Sequence, residues 1–176
     1  QHFGKGPISL SDPSSLIAEL RLRKSESEID QMRYSAHVSA QAHIQAMKHG
    51  KAGIGEWAIE AILECVFKYG ATSGNAYPCI VGCGENATIL HYTVNDCQCN
   101  DGEILLIDAA SEYRGYAADI TRSWPISGKF TKDQADIYQI VLDAQLAAID
   151  QCRVGNPYNA PHEAARQSLA QGLIDL

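Results

Sequence analysis

Ile104-Leu105-Leu106-Ile107-Asp108-Ala109-Ala110-Ser111-Glu112-Tyr113-Arg114-Gly115-Tyr116-Ala117-Ala118-Asp119-Ile120-Thr121-Arg122 reads as two strands flanking a turn region that ends at Gly115. With Tyr113 and Arg114 as the two turn residues, Asp108 pairs directly with Asp119. Opposed residues on antiparallel strands hold their Cβ atoms about 4.5–5.5 Å apart, and like charges so placed repel. A bulge or a longer loop would shift this register. Asp is a poor strand residue, and Asp108 closes a run of four aliphatic residues, so partial burial is expected. A buried carboxylate needs compensation. An arginine (Arg122 is the candidate), a shared proton or a divalent cation would each supply it. The spacing alone also fits two surface carboxylates at strand ends.

Outward from this stretch the pattern alternates between helix and strand. Ser25 with Glu28 forms a capping box, and Ile29, Met32, Ala36, Ala40, Ile44 and Met47 keep helical spacing on one face up to Gly50. A second helix follows Gly55, with Ile59, Ile62, Leu63, Val66 and Phe67 on one face and Gly70 closing it. Short apolar runs at 79–81, 89–92, 104–109 and 116–124 read as strands. Thr131 with Gln134 opens another helix through Ile137, Ile140, Val141 and Ala144, and a last helix begins near Pro161. Residues 1–24 look irregular, which gives an irregular segment over 1–15 and a single domain over 16–176. The order predicts an α+β fold, a mainly antiparallel sheet covered by helices.

Composition narrows the function classes. The chain has 176 residues, 45% hydrophobic and 20% charged, as expected of a soluble globular domain. A net charge of −7 argues against nucleic acid as a partner. No apolar run reaches the roughly 18 residues that would span a membrane. Gln1 opens the sequence with no visible leader. The six cysteines are not dense enough for a disulfide scaffold, and Cys97-Gln98-Cys99 lacks the spacing of a zinc or redox pair. Reduced thiols and a cytoplasmic location are the expectation.

Several motifs agree in order and spacing with a known family. Ile107-Asp108-Ala109, then Gly115-Tyr116-Ala117-Ala118-Asp119-Ile120-Thr121-Arg122, then Pro125-Ile126-Ser127-Gly128-Lys129-Phe130-Thr131 closely resemble the catalytic domain of the aminopeptidase P and prolidase family. Upstream, Ile80-Val81-Gly82-Cys83-Gly84-Glu85-Asn86-Ala87 and Ile89-Leu90-His91-Tyr92 resemble it at the matching distance. Leu20 to Ile29 is similar to the start of that domain. The methionine aminopeptidase and creatinase branch fits the Gly84-Glu85-Asn86 and Trp124 to Phe130 runs less well.

The resemblance implies a "pita-bread" (creatinase/aminopeptidase-like) fold and a metal-dependent peptidase that cuts the bond before proline. It implies Asp108 and Asp119 as ligands of two divalent ions, usually manganese, sometimes zinc or cobalt. It implies that His91 faces the substrate and steadies the tetrahedral intermediate. Tyr77 would lie near the substrate, and the Thr121 hydroxyl would support a metal ligand. The family's remaining ligands, one His and two Glu further along, have no counterpart before Leu176. A half or partial pita-bread domain is therefore expected, with weak metal binding, little activity alone, and self-association through an uncovered apolar face. A non-catalytic pita-bread module that binds peptides or proteins is the competing reading; retention of Asp108, Asp119 and His91 favours the enzyme. His37, His43, His49 and His162 fall on helices and read as structural or exposed.

Overall fold

A computed structural model describes residues 12–176; the first part of the expected irregular segment, 1–11, lies outside the described residues. Five helices and six short strands alternate in the order α1 (Ser14–Leu22), α2 (Glu26–His49), α3 (Glu56–Tyr69), β1 (Gly74–Asn75), β2 (Ile80–Cys83), β3 (Ile104–Asp108), β4 (Ser111–Tyr113), β5 (Tyr116–Ala117), β6 (Thr121–Pro125), α4 (Lys132–Asp150) and α5 (Ala160–Ile174). The strands form two antiparallel three-stranded sheets, ordered β1-β4-β5 and β2-β3-β6. The α+β architecture is as expected.

Both capping boxes form. Ser25 N–H donates to Glu28 Oε2 at 2.6 Å, and Gln134 N–H donates to Thr131 Oγ1 at 3.2 Å. Residues 14–22 are helical where irregular chain is expected. Asp12 Oδ1 accepts from the Ser14 amide and hydroxyl at 2.9 and 2.6 Å, and Pro13 tolerates a helix start. This helix buries nothing; Leu16, Leu20 and Leu22 are exposed.

The core lies between α2 and α3 on one side and the β2-β3-β6 sheet on the other. Ile59, Leu63 and Phe67 of α3 meet Val81, Leu105 and Ile107, all fully buried. Helix α2 does not use the face with Met32, Ile44 and Met47, which stay exposed. It buries Ser35, Val38, Ser39, Ala42, His43 and Ala46 instead. Small and polar side chains serve here because α2 packs close to the sheet backbone and bonds to its polar groups at 109–111.

Three strand expectations need correction. The run at 116–124 is two strands, β5 and β6, in different sheets. Residues 89–92 are not a strand. A 3-10 turn at Gly84–Thr88 precedes them, Ile89 and Leu90 are exposed, and His91 takes a φ of 56°. The hairpin turn is Arg114-Gly115, not Tyr113-Arg114: Tyr113 pairs with Tyr116, and the two turn residues have φ of 51° and 85°. Two positive φ angles match the strand twist, and a glycine at the second position supplies one of them without strain.

The thiol expectation also fails. Cys83 and Cys99 form a disulfide, their Cα atoms 5.3 Å apart, while Cys65, Cys79, Cys97 and Cys152 are free. That bridge removes one ground for expecting a cytoplasmic location. No helix of the described residues is long and apolar enough to cross a membrane.

Helices α4 and α5 form a hairpin, close enough that a Cβ on Gly172 would lie 2.6 Å from Ile140 Cγ2. Between α4 and the outer face of the sheet runs a cleft of about 750 Å³, lined by Ile104, Ser123, Phe130, Ile137, Tyr138 and Val141 among others.

Candidate metal centre

Strand β3 alternates. Leu105 and Ile107 point into the core, so Ile104, Leu106 and Asp108 share the opposite face, where they are half-buried. Asp108 pairs with Thr121 rather than Asp119, as the Arg114-Gly115 turn requires. Continuing the register, Asp119 is level with Ala110, one diagonal step from Asp108. A shift of two residues keeps the face, whereas a shift of one would have sent the carboxylates apart. Diagonal neighbours remain within reach of longer side chains.

The ladder opens at Ala109 and Ala110, and the polar face of α2 answers it. His43 Nε2 lies 2.9 Å from the Ala109 carbonyl oxygen, Ser35 Oγ donates to the Ser111 carbonyl at 2.5 Å, and the Ser111 amide donates to Ser39 Oγ at 2.9 Å. Burial holds the His43 imidazole below its ordinary pKa, outweighing its bond to Ala109. A neutral ring with its proton on Nε2 donates to that carbonyl, and the buried Nδ1 has no partner among the described residues. The freed Ala110 carbonyl accepts from the Ala76 amide at 2.8 Å, which brings Tyr77 alongside the carboxylates.

The Tyr77 hydroxyl lies 2.6 Å from Asp108 Oδ1 and 3.2 Å from Asp119 Oδ1. One phenol proton thus serves two carboxylates. Burial, and then the hydrogen bond to Asp108 and its charge, hold the Tyr77 phenol well above the usual tyrosine range. Among the described residues no guanidinium pairs with either carboxylate. Arg122 donates instead to the Thr121 carbonyl at 2.7 Å, and the ion pairs among the described residues are all short-range pairs elsewhere. Among the described residues, then, two carboxylates share one donor and neither pairs with a cationic side chain. That donor set fits a hard divalent cation.

His91 is exposed on the turn after the 3-10 segment, its loop anchored by Asn86 and Tyr92. Thr121 stands across the ladder from Asp108, and no hydrogen bond joins its hydroxyl to either carboxylate among the described residues. His43 proves structural, as expected. Glu56 escapes sequence reasoning altogether: nothing in Gly55-Glu56-Trp57 announces that its carboxylate is fully buried.

Residues 30–175 match the model of metallopeptidase family M24, and the chain belongs to that family. Among curated relatives, the Xaa-Pro aminopeptidase of Escherichia coli K12 is 38% identical over 170 residues, covering 97% of this chain and 38% of the relative. Among solved structures, proline aminopeptidase P II of Yersinia pestis superposes with a TM-score of 0.94 at 40% identity, over 97% of this chain and 39% of that one. Aminopeptidase PepP of Pseudomonas aeruginosa gives 0.91 at 44% identity, over 92% of this chain and 37% of that one. The chain therefore has part of the aminopeptidase P pita-bread fold and spans under two fifths of these relatives' length.

Proposed function

We propose that this chain carries part of the metal site of an Xaa-Pro peptidase, which hydrolyses the peptide bond before proline. Membership of a metallopeptidase family and likeness to Xaa-Pro aminopeptidases support the reading. The observation that carries it is the Asp108–Tyr77–Asp119 cluster, two carboxylates sharing one phenol and paired with no cationic side chain among the described residues. It also favours an enzyme over a non-catalytic peptide-binding module.

Asp108 and Asp119 would hold a pair of divalent ions, manganese before zinc or cobalt. Such ions, when bound, supply a water acidified into the neutral range and a polarised carbonyl. The chain's own residues do the rest. The two carboxylates offset the cationic charge, and Tyr77 keeps them turned toward each other. His91 donates a hydrogen bond to the oxyanion that develops on the scissile carbonyl. Thr121, two residues after Asp119, would turn its hydroxyl to that ligand once metal is bound. Two carboxylates leave most of a coordination sphere to water, so the 176-residue polypeptide binds metal weakly and turns over little peptide by itself. Crystals soaked in manganese should show an anomalous peak between Asp108 and Asp119. A peak elsewhere, with that space filled by ordinary water, would reject the assignment.

A further inference from the structure

The segment that carries His91 is tied down at both ends by one carboxylate. Glu56 is the first residue of α3, is fully buried, and sits where the helix N-terminus favours negative charge. Its Oε1 accepts from the Cys83 amide at 2.8 Å and from Asn86 Nδ2 at 3.1 Å. Its Oε2 accepts from the Tyr92 hydroxyl at 2.9 Å and from the Cys97 amide at 3.0 Å. The Glu56 amide in turn donates to the Cys97 carbonyl at 2.9 Å. Donors from the outgoing end of the segment therefore meet one oxygen, and donors from its middle and returning end meet the other. Asn86 Nδ2 also lies 3.0 Å from the hydroxyl of Tyr92, the residue after His91.

Asp96 and Cys97 each offer an atom near Glu56, within 4.8 Å, as a cation site would. Glu56 does not act that way here. A carboxylate has about four acceptor positions, and four donors already occupy them. Hydrogen bonds to a buried charge are strong, and leaving one unmade is costly. The carboxylate is thus committed to holding chain.

We propose that Glu56 is the positioning residue for His91: by fixing both ends of the 83–97 segment it sets where the imidazole stands. The inference rests on the reading that His91 serves the reaction. It accounts for a buried acid with no role at the carboxylate pair. It also gives His91, exposed and at a left-handed backbone angle of 56°, a support that packing of its own does not supply.

The test is nuclear magnetic resonance on the whole chain with labelled histidine, comparing Glu56→Gln, Glu56→Asp and Tyr92→Phe. Gln keeps one acceptor and puts an NH2 where the other was, so one of the two pairs of bonds to the segment is lost whichever way the amide turns, while the Cys83–Cys99 bridge stays. In Glu56→Gln the expected result is amide exchange at Cys83 or Cys97 faster by at least about tenfold, as loss of a charge-assisted bond implies. The His91 ring signals should move toward those of an unstructured histidine. The His43 signals, which report the core beside Asp108, should stay. Glu56→Asp keeps both acceptors and should restore part of the His91 shift. Tyr92→Phe, which leaves the buried acid intact, should move His91 in the same direction by less. His91 signals unchanged in both Glu56→Gln and Tyr92→Phe would overturn the proposal. If Glu56→Gln loses the His43 signals as well, the fold has gone, and Tyr92→Phe alone decides. Peptide hydrolysis is not among these readouts. A chain that holds His91 through Glu56 but belongs to no Xaa-Pro peptidase would sink the functional reading and leave this one standing.

Discussion

The Tyr77 hydroxyl lies 2.6 Å from Asp108 Oδ1, and the same oxygen is 3.2 Å from Asp119 Oδ1. Without that phenol two carboxylates would face each other with no donor between them. Tyr77→Phe should therefore lower stability by about 1–2 kcal/mol, the worth of a charge-assisted hydrogen bond reduced for the exposure of Asp119. Urea unfolding of the two proteins measures it; equal midpoints would mean that the bond contributes nothing.

Glu28 links the start of α2 to the hairpin tip. It accepts from the Ser25 amide at 2.6 Å and from the Tyr116 hydroxyl at 2.7 Å. The Ser25 amide first, then Tyr116 and the Ser25 hydroxyl, lower its carboxyl from 4.5 to about 2. A lowered folded-state value means that the stability it adds is fully present above pH 4.5 and is lost as pH falls toward 2. Glu28→Gln should flatten the acid limb of the stability profile in that window and leave its shape above it unchanged. An acid limb identical in both proteins would contradict this.

The Cys83–Cys99 bridge closes a loop with a sequence separation of 16. Loop-closure entropy for that length is about 3 kcal/mol. The double substitution Cys83→Ser, Cys99→Ser should cost up to that amount in urea unfolding. The Glu56 hydrogen bonds should keep the native segment in place, so the His91 ring signals should change less than in Glu56→Gln.

Ile137 and Val141 are exposed and line the 750 Å³ cleft, and Leu146, Ile149, Leu173 and Ile174 of the same helical hairpin are also exposed. Apolar surface exposed on this scale marks an interface. The 176-residue polypeptide should self-associate in light scattering, and Val141→Asp should shift it toward monomer. A wild-type chain that is monomeric at all concentrations would count against it.

Local signals in the sequence carried through, and those depending on distant partners did not. Ser25 with Glu28 and Thr131 with Gln134 cap their helices because each box is complete within four residues. Helix α3 buries Ile59, Leu63 and Phe67 because apolar packing alone orients it. Helix α2 faces the sheet with Ser35, Ser39 and His43 because the opened ladder at 109–111 needs donors and acceptors. Nothing in its own periodicity announces that need. Ile89 to Tyr92 looks like a strand, yet it is shaped by bonds to Glu56, more than thirty residues away. At the carboxylate pair the motif named two residues that the structure brings to one phenol. The register was misread by two because Gly115 is a turn residue rather than the first residue after the turn. An even shift preserved the face, so Asp108 and Asp119 still meet.

The most direct test of the account is a manganese titration, followed by electron paramagnetic resonance, of the wild-type chain and of Asp108→Asn, Asp119→Asn. The expected result is weak binding to the wild type, no tighter than about 1 μM, that disappears in the double variant. Identical isotherms for the two proteins would show that Asp108 and Asp119 hold no metal.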